Sequence, residues 1–147
     1  MKWEEFSRIL EQTKKRRPIW FQLESDPPCE FADVQLLEKT LFIELPGEYK
    51  TFLQAFGGGY FAFVIVFSAT KGSEWNLVAQ NEQAGVLEKY SFLAISDNEA
   101  GDYYGFKVED GVCDSKISFF DHEDGSVKET KYENLFEYLI KEGLTIK

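Results

Sequence analysis

Histidine occurs once in this chain, at His122, and cysteine twice, at Cys29 and Cys113. A single imidazole rules out the multi-histidine ligand sets of catalytic zinc sites. The two cysteines stand far apart and form no Cys-x-x-Cys pair, which excludes a zinc ribbon and a dithiol redox motif. Two reduced, unlinked thiols are expected. Long apolar runs are missing too. The longest, Tyr60 to Phe67, has 8 residues, far below the ~20 that a membrane-spanning helix needs. The chain opens Met-Lys-Trp-Glu-Glu, without the apolar core of a secretory signal, so the expected location is cytoplasmic.

Positive charge is scarce. Against 26 Asp and Glu stand 16 Lys and Arg, a formal net charge of −10. The deficit is uneven: residues 1–73 carry 9 basic and 10 acidic residues, residues 74–147 carry 7 and 16. Residues 82–133 alone hold 13 Asp/Glu and 5 Lys. Such a segment repels nucleic acid and anionic membrane and attracts a cation or a basic protein. Solubility alone would also account for the charge.

What is present builds a core. Hydrophobic residues make up 44% of the chain, with 14 Phe and 7 Tyr, and 147 residues fit one domain over 1–147. That length buries enough surface to fold without metal or disulfide. Trp3, Phe6, Ile9, Leu10 and Thr13 recur at helical spacing from Lys2 to about Arg16, and Pro18 stops the helix. The basic run Lys14-Lys15-Arg16-Arg17 suits the negative end of its dipole. A short strand is expected over Ile19 to Leu23 and a second helix from about Glu30 to Thr40. A third helix opens at Leu45-Pro46-Gly47-Glu48 and places Tyr49, Phe52, Leu53 and Phe56 on one stripe. Gly57-Gly58-Gly59 ends it.

Beyond Tyr60 the pattern changes. Tyr60 to Phe67 reads as one buried strand. Residues 74–90 are ambiguous, with a short helix available over Trp75 to Gln80. Ser91 to Ser96, Tyr103 to Val108, Lys116 to Phe120 and Val127 to Thr130 read as strands, with turns at Asp110-Gly111 and Asp124-Gly125. A last helix runs from Tyr132 to Glu142. This order predicts an α+β fold: an antiparallel β-meander sheet with N-terminal helices and a C-terminal helix packed on one face.

Three segments resemble the SUKH superfamily, which contains a yeast cell-wall-assembly regulator and many bacterial immunity proteins. The first is Leu45-Pro46 with Tyr49, Lys50, Phe52 and Leu53, ending in Gly57-Gly58. The second is Phe92 to Ile95 followed by Gly101-Asp102-Tyr103-Tyr104. The third is the final helix around Leu135, Phe136 and Leu139. The likeness covers roughly residues 30–142. It implies structural roles for Leu45, Pro46, Tyr49, Phe52, Leu53, Gly57, Gly58 and Gly101. It further implies an immunity protein that binds a cognate toxin, foremost a basic nuclease domain. The yeast regulator's different role leaves a regulatory scaffold as the alternative.

No catalytic set emerges beside that resemblance. Cys113 or Ser118 could be nominated as a nucleophile, but no motif places either beside His122. Calcium loops starting at Asp97 or Asp121 lack the glycine required at their sixth position. Gly57-Gly58-Gly59 follows a helix and precedes a strand, the reverse of a phosphate-binding loop. No cofactor, no metal and no turnover are expected. The expected partner surface is Asp97, Glu99, Asp102, Tyr103, Glu109, Asp110, Asp121, Glu123 and Asp124, with Tyr103 or Trp75 as aromatic anchors.

Overall fold

The structure, a computed structural model, describes residues 1–145. Helix α1 spans Trp3–Arg16 and buries Phe6, Leu10 and Thr13. Glu4 and Glu5 in its first turn and Lys14, Lys15 and Arg16 in its last complement the helix dipole. A 3-10 turn, Pro18–Phe21, stands where a strand over Ile19 to Leu23 was expected. Pro18 presets the turn's φ, and the amides of Trp20 and Gln22 are satisfied by the Arg17 and Ile19 carbonyls. The first strand, β1, comes later and is only Ser25–Asp26.

Helix α2, Phe31–Leu41, opens on a capping box between Glu30 and Asp33. In helix α3, Gly47–Phe56, Pro46 is the residue before the first turn and not inside it. The expected strand over Tyr60 to Phe67 is instead a hairpin, β2 (Gly58–Phe61) and β3 (Val64–Val66). The chain reverses at Ala62-Phe63, with Ala62 at φ 51°. Helices α4 (Leu77–Ala84) and α5 (Val86–Tyr90) fill the ambiguous region. Then come β4 (Phe92–Asp97), β5 (Tyr103–Glu109), β6 (Val112–Cys113), β7 (Ser118–Asp121) and β8 (Ser126–Glu129). The last helix starts later than expected: α6 is Leu135–Tyr138 and continues as a π-helical turn, Leu139–Gly143. Asn134 caps it through its side chain, which leaves Tyr132 outside.

All strand pairs are antiparallel, in the order β1-β2-β3-β4-β5-β7-β8, with β6 paired to β5. The fold is α+β, as expected. Residues directly opposite across strands share a face. Phe61 with Val64, Val66 with Ser96, and Ser96 with Tyr104 and then Phe119 define an inner face. There Phe61 meets Phe6 at 6.1 Å and Phe52 at 5.3 Å between ring centroids, and Tyr104 meets Tyr138 at 4.7 Å. The Tyr138 hydroxyl shares a 2.6 Å hydrogen bond with Ser96, which donates to the Ile65 carbonyl.

Several residues of the SUKH-like motif belong to this core. Leu45, Tyr49, Phe52 and Leu53 are buried, and the Tyr49 hydroxyl donates to the Phe67 carbonyl at 2.7 Å. Where β3 ends, Asn81 takes over the edge of β4. Its carboxamide accepts from the Ala94 amide at 2.9 Å and donates to the Ala94 carbonyl at 2.8 Å. Among the described residues no helix is long and apolar enough to cross a membrane. Cys29 and Cys113 are free thiols.

Candidate partner-binding surface

Sheet register decides which acidic turns meet. Ile65 pairs with Asp97, Asp97 with Tyr103, Tyr103 with Phe120, and Asp121 with Ser126. The β2–β3 turn, the loop 98–102 and the turn 122–125 therefore lie at one end of the sheet. The same pairings place Tyr60, Ile65, Asp97, Tyr103 and Phe120 on the outer face.

Asn98 shapes the first acidic loop. Its Oδ1 accepts from the amides of Ala100 and Asp102, while Asp97 accepts from the amide of Glu99. Glu99 is left-handed, at φ 61°, and projects toward Tyr60, whose hydroxyl donates to it at 3.3 Å. Gly101 sits at φ 92°, and a Cβ there would stand 3.2 Å from His122 Nδ1. Glycine suits this left-handed backbone, and a Cβ would press on the His122 ring. That opening lets Asp102 Oδ1 accept from the His122 amide at 3.0 Å and meet His122 Nδ1 at 2.6 Å, tying the two loops together. These bonds hold the Asp102 carboxyl below its ordinary value, the backbone amide contributing most. The same side-chain bond raises the His122 imidazole.

The second turn is also internally satisfied. Asp121 accepts from the Glu123 amide and Asp124 from both the amide and hydroxyl of Ser126. Lys128 bridges Asp121 at 3.0 Å and Asp124 at 3.2 Å. Ligand atoms of Asp102, Asp121 and His122 lie within 4.8 Å of one another. Asp102 is engaged with His122 and Asp121 with Lys128, so the described geometry is a hydrogen-bonded corner. Asp97, Glu99 and Glu123 form no ion pair among the described residues.

Aromatic side chains line the outer face beside these carboxylates. Tyr60 and Trp75 meet edge to face at 5.8 Å, and Tyr103 lies 6.3 Å from Phe67. All three are half-buried. Trp75 lies over Gly59, where a Cβ would approach its ring to 2.8 Å. The loop that carries it is anchored by Asp26, which accepts from Ser68 at 2.5 Å and from Ser73 at 2.6 Å. The Glu99 charge pushes the Tyr60 phenol above its ordinary value, while burial does so for Tyr103, with help from Asp97. Both phenols thus stay neutral donors near neutral pH.

Seven of the nine expected partner residues meet here: Asp97, Glu99, Asp102, Tyr103, Asp121, Glu123 and Asp124. Glu109 and Asp110 do not. They form the β5–β6 turn, six residues along β5 from Tyr103, a span of roughly 20 Å. Tyr60, Asp26 and Ser73 complete the surface but are not among the expected residues. Tyr60 lies inside the apolar run read as core, and its hydroxyl is the only sign that one edge meets water. Nothing local marks Asp26 or Ser73. Cys113 is in β6, at the other end of β5, its thiol pushed up to about 12 by burial. Ser118 is buried within β7. Neither bonds His122.

The family model described as SMI1-KNR4 cell-wall, SUKH_6, matches residues 32–139. The chain belongs to the SUKH family. The matched span runs from α2 into the final π-helical turn and includes every acidic loop of the surface. Helix α1 and β1 fall outside it. No curated protein matches this SUKH chain. A crystal structure of a protein from Pseudomonas syringae pv. tomato shares its fold, with a TM-score of 0.70 at 17% identity, covering 91% of this chain and 98% of that one.

Proposed function

We propose that this SUKH protein is an immunity protein that neutralises a toxin by stoichiometric binding in the cytoplasm. The observation that carries the reading is the outer-face surface, where half-buried Tyr60, Trp75 and Tyr103 adjoin Asp97, Glu99 and Glu123, which have no cationic partner among the described residues. Rigid aromatics with polar tips supply binding energy at low entropic cost. Unneutralised carboxylates beside them steer a basic partner and reject an acidic one. A nuclease domain is basic where it grips phosphate, and these carboxylates would stand where phosphates lie. The role read here is binding without turnover.

Co-expression with a toxin domain encoded beside this gene, where genome context supplies one, tests the reading. Cell survival together with an isolable one-to-one complex is the expected result. Death of the cells, or survival without a complex, would overturn it. A regulatory scaffold for an endogenous protein is the second reading, favoured by the cell-wall description of the matching family model. A gene standing alone, with no toxin-bearing neighbour, would favour it.

A further inference from the structure

The end of the sheet that carries the acidic loops also carries the longest basic run of the sequence and exposed apolar side chains. Lys15, Arg16 and Arg17 are exposed, and none of the run Lys14 to Arg17 forms an ion pair among the described residues. Directly after them, Ile19 is 69% exposed and Leu23 54%. Trp20 stacks edge to face on Phe63 at 4.8 Å, and Phe63, in the β2–β3 turn, is itself 43% exposed. Arg17 lies 5.9 Å over the Trp20 ring.

This corner adjoins the acidic loops. The Glu24 carbonyl accepts from the Tyr60 amide at 3.1 Å, and the hydroxyl of that same tyrosine reaches Glu99. Phe63 is two residues from Ile65, which pairs with Asp97, a separation of about 7 Å along the strand. Basic, apolar and acidic strips thus run side by side across one end of the sheet.

We propose that this end docks a second copy of the chain in a two-fold dimer. A two-fold interface must be self-complementary, each patch meeting its counterpart on the partner. With the axis passing near the apolar strip, Ile19, Leu23 and Phe63 of the two copies face each other. Arg16 and Arg17 of each copy then face Glu99 and Glu123 of the other. Nucleic acid or an anionic bilayer would be drawn to the arginines but would meet the adjoining carboxylates. A surface with the same alternation, as a second copy presents, satisfies both signs. The dimer covers Glu99 and Tyr60, so self-association competes with any partner that uses the outer face. The inference needs no toxin and stands or falls apart from the immunity reading.

Analytical ultracentrifugation of the full chain tests it. A concentration-dependent monomer–dimer equilibrium is expected at low salt, weakening as NaCl approaches ~1 M, where the Debye length is about 3 Å. Ile19→Ser should weaken it while leaving the melting curve in place. Arg16→Glu with Arg17→Glu makes this end mostly acidic, and Glu99→Lys with Glu123→Lys makes it mostly basic. Each double variant alone should dissociate at least about tenfold more readily than the parent. Mixed in equal amounts they should form a heterodimer. A parent chain that is monomeric at every concentration would overturn the proposal. So would a dimer indifferent to these substitutions, or variants that ignore each other on mixing. Association with anionic vesicles or DNA in place of the heterodimer would assign the corner to those partners instead.

Discussion

The two faces of the sheet use the same strands for different ends. On the inner face, Phe61, Val64, Val66 and Phe106 are buried against the helices, and the polar groups among them are paired, as in the bonds joining Tyr138, Ser96 and Ile65. On the outer face the alternate residues of those strands, Tyr60, Asp97 and Tyr103, keep hydroxyls and carboxylates within reach of water. Register gathers these presented side chains at the acidic end of the outer face, while Ile65, Phe92 and Phe120 on that same face are buried and belong to the core. Inner-face substitutions should change stability, and substitutions at the acidic end should change association.

The largest effect belongs to the inner face. Phe52 is fully buried and contacts Phe56 and Phe61. Phe52→Ala should cost about 3–5 kcal/mol, read from urea denaturation. A loss below ~1 kcal/mol would place the core elsewhere. Asn81→Ala ranks next, at about 1–3 kcal/mol, because it strands the amide and carbonyl of Ala94 at the uncovered edge of β4. Faster hydrogen exchange at Ala94 should accompany that loss. Unchanged exchange there would mean that another group, or water, holds the edge.

These two sites differ in how plainly the sequence announces them. Helices α1 and α3 are legible because Phe6 and Leu10, or Tyr49, Phe52 and Leu53, repeat at helical spacing against a polar background. Asn81 is not, since a carboxamide that replaces a missing strand has no local pattern. The turn at Ala62-Phe63 is hidden for a related reason: strands buried on both sides are apolar throughout, and no polar residue marks the reversal. The candidate surface was half legible. Its acidic loops and the Asp-Gly turns stand out in composition, but register alone decides which of them meet. Glu109 and Asp110 have the same composition as Asp121 to Asp124 and fall at the opposite end of β5.

The acidic end should behave in the opposite way to the core. Glu99→Lys with Glu123→Lys changes two exposed side chains that form no ion pair among the described residues. Stability should shift by no more than ~0.5 kcal/mol. Association with a basic toxin domain should slow by about tenfold or more at low salt and lose most of its salt dependence. Stopped-flow rates at two ionic strengths decide it. An unchanged rate would remove the acidic face from the encounter step.

The smallest effect is the most local, at the bond that joins the two loops. Asp102 raises the His122 imidazole, and His122 in turn lowers the Asp102 carboxyl. A raised imidazole value stabilises the fold fully below the unfolded value near 6.5 and loses that contribution as pH rises through the folded value. A lowered carboxyl value contributes above roughly 3.9 and loses its share as pH falls through the folded value. The pair therefore helps most between about pH 4 and 6.5. His122 is half exposed, so solvent screening keeps the stability change small, and the sensitive observable is the imidazole itself. An NMR titration should place its midpoint above the ordinary histidine value, and Asp102→Asn should bring it down. A midpoint at or below that value in the native protein, or one indifferent to Asp102→Asn, would mean that the loops are not joined through this bond in solution. The shared end of the sheet would then be two independent turns in place of one preorganised surface.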